Sequence, residues 1–400
     1  MEKTVCELFA GVGGFRLGLE RADKEWKTVW FSQWEPSTSK QWAHDCYVSH
    51  WGDINEDTGI DIAKVDKTKI PQHNLLVGGF PCQDYSVARP LTSSTGIEGK
   101  KGVLWWQIRD VLQAKHASFV LLENVDRLLK SPASQRGRDF GVILACLATL
   151  GYSVEWRVIN AAEYGAGQRR RRTFIFAYDN TTKYAASHNK NTPQNIINIS
   201  GFFANAFPID TIENISQTKI DYEDILKVSE TFSFAFKNSG IMRNGNIYTA
   251  EVNPVIEQPI ILRSLLQKNV PEKYYLDGTL DKWTYLKGAK KIQRTSKNGH
   301  SYTFSEGAIT FPDSLDLPAR TMLTSEGTIN RSTHVIKDPE TERLRILTPL
   351  EAERIQGFED NWTEIMPDRS RYFCMGNALV VPMITRMGTL LSRIFDAEEQ

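Results

Sequence analysis

The apolar positions of this chain fall into short runs separated by glycine turns and by stretches with helical spacing. Runs typical of buried strands lie at 4–9, 27–34, 75–77, 119–122, 152–160 and 173–178. Helical patterns follow several of them, at 15–22, 104–114 and 140–150. Strands that alternate with helices in this way predict an open α/β sheet.

A glycine turn follows the first run. Residues 4–9 lead into Gly11, Gly13 and Gly14, and a helical pattern begins at Phe15. A strand, a glycine turn and a helix open a nucleotide-binding βα unit, because glycine lets the backbone approach a ligand closely. The spacing is not Gly-x-Gly-x-x-Gly, so the ligand need not carry a pyrophosphate.

Acidic and aromatic residues follow the second run. Glu35 is placed to accept hydrogen bonds from a ribose, and Trp34 offers a flat face for a purine. Asp53 supplies another carboxylate at a turn that we expect to follow a short strand. Taken singly, an exposed acid and a tryptophan more often mean surface charge and packing.

The run at 75–77 stops at two glycines and delivers Cys82 onto a loop. Open α/β sheets place their chemistry at such strand ends. A lone cysteine is more often a small buried hydrophobe, so this pattern alone leaves both interpretations open. Glu123 ends the neighbouring run at 119–122 and is a second candidate.

Two further segments carry charge near these strand ends. Residues 83–102 show little regular pattern, and long irregular loops are usually functional or disordered. Four arginines, 169–172, precede the run at 173–178. Such a run is usually a solvated face, but here strand alternation would point Arg170 and Arg172 to one side.

The amino-acid composition and the hydrophobic pattern change after Tyr178. Residues 180–330 are rich in Asn, Ser, Thr and Lys, and we interpret them as a separate, smaller domain of irregular β character. Residues 287–297 contain five cations and no acid, which suits a phosphate contact and a solvated loop about equally. A helix begins near Pro349, and an apolar helix at 380–395 should pack back on the first domain.

Composition limits the possible partners. The 400 residues are 41% hydrophobic, enough for a large core, and the formal net charge is zero, so a nucleic acid must be met by local basic patches. Five scattered cysteines without a Cys-x-x-Cys pair argue against disulfides and a zinc site. We see no signal peptide and no apolar run of about 20 residues, so we expect a cytoplasmic protein without a membrane partner.

Together the motifs resemble those of the DNA (cytosine-5)-methyltransferases. They occur in that family's order across nearly the whole chain, at 9–15, 79–83 with Ser86, 123–125, 168–172, Arg320-Thr321, 347–351, 354–358 and Gly376-Asn377. The resemblance implies a Rossmann-like, S-adenosylmethionine-dependent methyltransferase sheet of seven strands, one of them antiparallel, with a smaller, irregular β-rich target-recognition domain. We expect residues 1–183 plus 372–400 to form the catalytic domain and 184–371 the target-recognition domain, with DNA between them.

The resemblance also implies the cofactor. S-adenosyl-L-methionine would be the methyl donor, S-adenosyl-L-homocysteine the product, and no metal would be needed. The implied cofactor-binding residues are Phe9, Ala10, Gly11, Gly13, Gly14, Trp34, Glu35, Asp53, Ile54, Pro81, Leu104, Asn377 and Leu379. The family usually has an acid at the position of Gln33, so the ribose ligand is open between Gln33 and Glu35.

The implied chemistry starts at Cys82, which would add to C6 of cytosine and so activate C5. Glu123 would hydrogen-bond N3 and the exocyclic amine, while Arg170 and Arg172 would position the ring. The target base must be flipped out of the duplex, and residues 83–102 are the expected lid. The implied DNA contacts in this loop are Gln83, Ser86, Arg89, Lys100 and Lys101.

Duplex DNA is the expected partner of a monomeric enzyme, with a companion restriction endonuclease acting on the same site. One alternative is the tRNA cytosine-5 methyltransferase branch, but that branch is compact, and here a long insertion separates Arg172 from Arg320. Another is a silent DNA-binding regulator, which would not need Cys82 and Glu123. The recognised DNA sequence is not indicated, because no code links irregular loops to bases.

Overall fold

The structure is a computed structural model that describes residues 1–36, 38–54, 56–80, 104–296 and 299–399. Strands β1 to β13 are Thr4–Leu8, Lys27–Ser32, Leu75–Gly79, Phe119–Val125, Tyr152–Asn160, Arg171–Asp179, Ile209–Lys219, Ser239–Arg243, Asn246–Pro254, Lys290–Thr295, Ser301–Glu306, Val335–Lys337 and Leu344–Ile346. Helices α1 to α12 are Gly14–Ala22, Trp42–Trp51, Leu104–Lys115, Arg138–Thr149, Lys183–His188, Pro193–Asn195, Phe202–Ala206, Ile225–Thr231, Leu280–Lys287, Pro349–Gln356, Asp368–Asn377 and Val381–Glu399.

The central sheet of the described part has nine strands in the order β2-β1-β3-β4-β6-β5-β8-β9-β7. Strands β2, β1, β3 and β4 are parallel, and β6 runs antiparallel to both β4 and β5. The first six strands therefore form a Rossmann-like sheet with one reversed strand, which confirms the predicted fold class. Parallel strands with helical crossovers bury both faces of such a sheet.

The resemblance implied seven strands for the Rossmann-like unit, and six of them are found in the described part of the chain. The short strand expected before Asp53 is wrong, because Trp42–Trp51 is a helix. Its buried residues, Ala43, Cys46 and Tyr47, have the i, i+3, i+4 spacing of one helical face.

Alternate residues of the central strands enter two separate cores. Leu75 and Val77 belong to the core that helices α1 and α12 cover, whereas Leu76 lies in the core under α3 and α4. Successive strand side chains point to opposite faces, so an unbroken apolar run is what a strand buried on both sides requires. This is why the runs at 75–77 and 119–122 were recognisable.

Three strands from the later part of the chain extend this sheet. Strand β8 pairs antiparallel with β5, and β9 and β7 follow outside it. Arg157 of β5 is buried there, and its guanidinium donates to the main-chain carbonyls of Ile197, Phe203 and Phe207. The weak pattern after residue 180 did not indicate this extension, and the division into 1–183 plus 372–400 and 184–371 stays a prediction.

The end of the chain closes on its beginning, as expected. Thr348 and Glu351 form a capping box at the start of α10, the helix predicted near Pro349. Helix α12 lies along α1, where Gly18 leaves room for Ile384. In the described part of the chain no single helix has both the length and the apolar character to cross a membrane, although α11 and α12 meet that test as one bent pair.

Candidate active site

Strands β3 and β4 bring the first candidate residues together at their carboxyl ends. Gly79 lies opposite Glu123 in the parallel register, and a Cβ at Gly79 would be 3.3 Å from Glu123 Oε2. Asn124 Nδ2 donates to the carbonyl of Phe80 at 2.8 Å. The chain is therefore anchored to β4 two residues before Cys82. Residues Pro81, Cys82, Gln83, Ser86, Arg89, Lys100 and Lys101, with the predicted lid, lie outside the described residues.

The antiparallel pairing of β6 with β4 brings an arginine to Glu123. Arg172 Nε lies 2.7 Å from Glu123 Oε1, and the two side chains are 17% and 13% exposed. The sequence predicted both residues for one site, and the fold places them in direct contact. A carboxylate and a guanidinium in this position can together hold a polar ring edge.

Arg170 has a different position. Its side chain is buried, and its two Nη atoms donate to the carbonyls of Met322 and Gly376, both at 2.9 Å. Burial, together with the charge of Arg172, lowers the pKa of Arg170 to about 9. These groups bind main chain here, whereas the prediction assigned them to the pyrimidine ring. Arg170 thus joins the arginine run to two distant segments.

The glycine turn after β1 leaves space for a ligand. Gly11 has φ of +57°, and an added Cβ would meet no described atom within 4 Å. At Gly13, with φ of +86°, an added Cβ would lie 2.3 Å from the ring of Trp51. The turn is therefore closed by packing at Gly13 and open at Gly11.

Gln33 and Glu35 have different environments at the end of β2. Gln33 is buried, and its Oε1 accepts the Gly11 N–H at 2.7 Å. Glu35 is half-buried, and burial raises the pKa of its carboxyl. Trp34 is 38% exposed. The Gln33 oxygen already accepts a hydrogen bond from the turn, and the choice of ribose ligand between Gln33 and Glu35 stays a prediction.

The other predicted cofactor residues lie around the same turn. Asp53 accepts from Thr58 Oγ1 at 2.8 Å, and the Thr58 carbonyl accepts from Gln33 N–H at 2.9 Å, so Asp53 is tied to the end of β2. A Cβ at Gly14 would be 2.9 Å from Leu379, which lies two residues after the exposed Asn377. Ile54 packs with Ala10, and Leu104 contacts the same core as Phe9.

The described cysteines are unsuited to nucleophilic chemistry. Cys6, Cys46, Cys146 and Cys374 are all buried. Burial raises the pKa of Cys46 to about 12 and that of Cys146 to about 11, and it raises those of Cys6 and Cys374 further. A thiol must ionise to attack, so these four serve packing.

Sequence reasoning assigned no role to two polar residues in the strands that lead to the site. Asn124 holds Phe80, and the signal was an amide in a strand, where asparagine is depleted. Glu7 is fully buried in β1, where Tyr47 OH donates to its Oε2 at 3.0 Å and Oε1 has no partner among the described residues. Burial raises the pKa of Glu7 to about 7. An acid inside an apolar run was the available signal.

The sequence of this chain is similar to those of known methyltransferases. The family model for C-5 cytosine-specific DNA methylases matches residues 3–393. The type II methyltransferase M.Sau3AI of Staphylococcus aureus is 52% identical over 397 residues, which cover 98% of this chain and 95% of that protein. M.NgoBI of Neisseria gonorrhoeae is 34% identical over 46% of this chain and 53% of its own length.

Solved structures with the same fold are more distant in sequence. The Entamoeba histolytica methyltransferase EhMeth superimposes with a TM-score of 0.58 at 16% identity, covering 99% of both chains. The S. pombe Dnmt2 methyltransferase gives a TM-score of 0.58 at 15% identity, covering 98% of both chains. At these identities the likeness concerns the fold alone.

Proposed function

Because this chain belongs to the C-5 cytosine-specific DNA methylase family, we propose that it methylates C5 of a flipped-out cytosine in a specific duplex DNA sequence through a covalent Cys82–C6 adduct. The family makes the chain a cytosine methyltransferase and implies S-adenosylmethionine as methyl donor. We propose in addition the covalent adduct, the roles of the individual residues and the protection of host DNA.

One observation carries the proposal. The Phe80 carbonyl is held by Asn124, whose neighbour Glu123 is paired with Arg172. Cys82 follows Phe80 by two residues in the sequence, so the segment that carries its thiol begins at a main-chain position that is held beside that pair. Positioning of this kind is a large part of catalytic rate enhancement.

The chemistry follows from the weak nucleophilicity of C5. In the proposed mechanism, Cys82 attacks C6 as a thiolate, a C6–S bond forms, and the ring electrons move toward C5. Glu123 holds the N3 edge and the exocyclic amine, and Arg172 keeps that carboxyl in place. C5 would then take the methyl group, leaving S-adenosyl-L-homocysteine, and the C5 proton would pass to water. The electrons of the C5–H bond restore the ring double bond as the C6–S bond breaks and the Cys82 thiolate leaves.

The residues around the glycine turn suit the methyl donor. S-adenosylmethionine supplies an electrophilic methyl group carried on a sulfonium. The open space beside Gly11 admits a ligand close to the backbone, while Trp34 offers a flat face and Glu35 an acceptor for ribose hydroxyls. Leu379 and Asn377 would lie at the other side of the same turn.

The proposed substrate is duplex DNA, as the family name implies. A stacked cytosine is out of reach of a side chain, so the base must leave the helix before Cys82 can attack. Residues 83–102 would close over it, with Arg89, Lys100 and Lys101 facing phosphates. By analogy with type II methyltransferases, the modification would protect host DNA from a companion endonuclease.

The test is expression in a host without cytosine methylation, followed by bisulfite sequencing of plasmid DNA. We expect the wild-type chain to leave 5-methylcytosine at one short sequence. Cys82→Ala should abolish the signal, whereas Cys6→Ala, which alters a buried packing thiol, should retain it. Methylation by Cys82→Ala, or equal loss in both variants, would refute the nucleophile assignment. An unmethylated plasmid with well-folded wild-type protein would favour an RNA substrate or a regulator.

A further inference from the structure

Strands β10 and β11 form a two-stranded antiparallel ribbon. Lys290 pairs with Glu306 at its base, and Thr295 pairs with Ser301 near its tip. Because side chains alternate across a ribbon, its two faces have different residues. The ribbon is a separate sheet in the described part of the chain, so no further described strand pairs with either of its edges.

The inner face is packed at its centre, whereas Arg294 and Tyr302 on the same face are exposed. Ile292 and Phe304 face each other in the register and are half-buried, and the Arg294 guanidinium lies 3.9 Å from the centre of the Phe304 ring. Lys290 Nζ donates to the carbonyl of Leu286 at 3.2 Å. This face therefore holds the ribbon together and fixes it to α9.

The outer face is polar and open. All its residues are exposed: Lys291, Gln293, Thr295, Ser301, Thr303 and Ser305. Gln293 Nε2 donates to Thr303 Oγ1 at 2.8 Å. This bond fixes the amide plane. Among the described residues no other hydrogen bond engages the amide oxygen or the second N–H, so both can bind a ligand.

The base of the ribbon is tied to the site. Arg331 donates from Nη1 to the carbonyls of Leu286 and Gly288 at 2.8 and 3.1 Å, and its Nε lies 3.0 Å from Glu306. The same stretch of chain reaches the arginine run, because Met322 N–H donates to Gln168 Oε1 at 2.9 Å. The segment from Met322 to Arg331 thus contacts both the base of the ribbon and Gln168, which lies shortly before β6.

We propose that the outer face of the β10–β11 ribbon reads base edges in the DNA major groove, and that Gln293, held by Thr303, contacts an adenine. This proposal rests on the proposed function, since it names residues that select the DNA sequence. A major groove admits a two-stranded β-ribbon. A glutamine amide matches adenine, accepting from N6 and donating to N7.

Charge complementarity supports DNA as the occupant. The two strands of the ribbon contain three cations, Lys290, Lys291 and Arg294, and one acid, and that acid, Glu306, is engaged by Lys290 and Arg331. In a chain of zero net charge this is a local cationic element. Lys291 on the outer face is placed to contact a phosphate, whereas the uncharged hydroxyls and amide beside it suit base edges.

The experiment compares Gln293→Ala and Thr303→Val with the wild type on synthetic duplexes. The duplexes carry the sequence found by bisulfite sequencing, or that sequence with one base pair replaced at a time. We expect both variants to lose about tenfold to a hundredfold in kcat/KM on the recognised sequence. On the duplex in which one A·T pair is replaced, both variants should have the same kcat/KM as the wild type. Discrimination between the recognised and the replaced base pair therefore disappears at that position only.

Gln217→Ala is the matched control, because it removes an exposed glutamine from β7. It should leave every duplex unaffected. Unchanged discrimination in Gln293→Ala, a recognised sequence without an A·T pair, or unfolding of this exposed variant would overturn the proposal. Absence of methylation by the wild type would instead count against the proposed function, so the two failures are distinguishable.

Discussion

Arg170 and Arg172 are two positions apart, yet the fold gives them different partners. Arg172 lies against Glu123 at 2.7 Å, while Arg170 is buried and bonded to the carbonyls of Met322 and Gly376. A buried arginine that loses its hydrogen bonds leaves main-chain acceptors without partners, which is costly. Arg172 is partly exposed and lies beside the proposed catalytic carboxyl of Glu123, so we expect it to act mainly on the reaction.

The first prediction separates these roles by substituting methionine at each position. Arg170→Met should lower the free energy of unfolding by about 3 kcal/mol, because two buried carbonyls lose charged donors. Arg172→Met should change stability by less than half as much but reduce the methylation rate by about a hundredfold, since Glu123 loses its partner. Urea unfolding and single-turnover methyl transfer measure the two effects. The reverse order of stabilities would contradict this assignment.

At the scale of elements, the β1–α1 turn combines a packed glycine with an open one. Gly13 is covered by the Trp51 ring of α2, whereas Gly11 faces space and is held by the side chain of Gln33. Both have positive φ, a conformation that costs other residues roughly 1–2 kcal/mol. The free energy that a side chain at either glycine would cost beyond this backbone strain therefore depends on which element packs against that position.

The second prediction compares alanine at the two glycines. Gly11→Ala should lower the free energy of unfolding by about 1 kcal/mol, from backbone strain alone. Gly13→Ala should lower it by about 3 kcal/mol, because its methyl group also displaces Trp51. Gly11→Ala should in addition weaken S-adenosylmethionine binding, as its methyl group enters the open space. Thermal melting measures the loss of stability, and calorimetric titration measures the affinity for S-adenosylmethionine. Equal destabilisation by the two variants would show that the Trp51 side chain moves aside at no cost.

At the scale of the whole molecule, the two ends of the chain close one core. Helix α12 lies on α1, and the N-terminal ammonium donates to the Phe395 carbonyl at 2.9 Å. Gly18 makes this approach possible, since an added Cβ would be 2.5 Å from Ile384. Helix α1, which follows the glycine turn, is therefore packed against the last helix.

The third prediction uses Gly18→Val, which should separate α1 from α12 and lower the free energy of unfolding by about 3 kcal/mol. Thr389→Ala, on the exposed side of α12, should change it by no more than about 0.5 kcal/mol. Denaturant unfolding with the same probe for both variants provides the comparison. Similar stabilities would mean that the helix contact contributes little to the fold.

Much of the catalytic framework was predictable because its signals are local. The buried strands show as apolar runs, the turn at 11–14 shows as glycines, and Glu123 and Arg172 follow or precede strands of the recognisable sheet. Helix α2 was missed because its tryptophans and polar residues give only a weak apolar face. The sheet extension by β8, β9 and β7 was missed because β7 is largely exposed and has few apolar residues, while β8 is only five residues long.

The sequence by itself determined which elements form and which reactive residues end them, since hydrophobic alternation and turn chemistry act between near neighbours. Only the tertiary structure decided which side chains meet. Arg170 binds a carbonyl 206 positions away, and Gln33 rather than an acid supports the glycine turn. Such partners depend on how distant segments pack, and no local pattern contains that information.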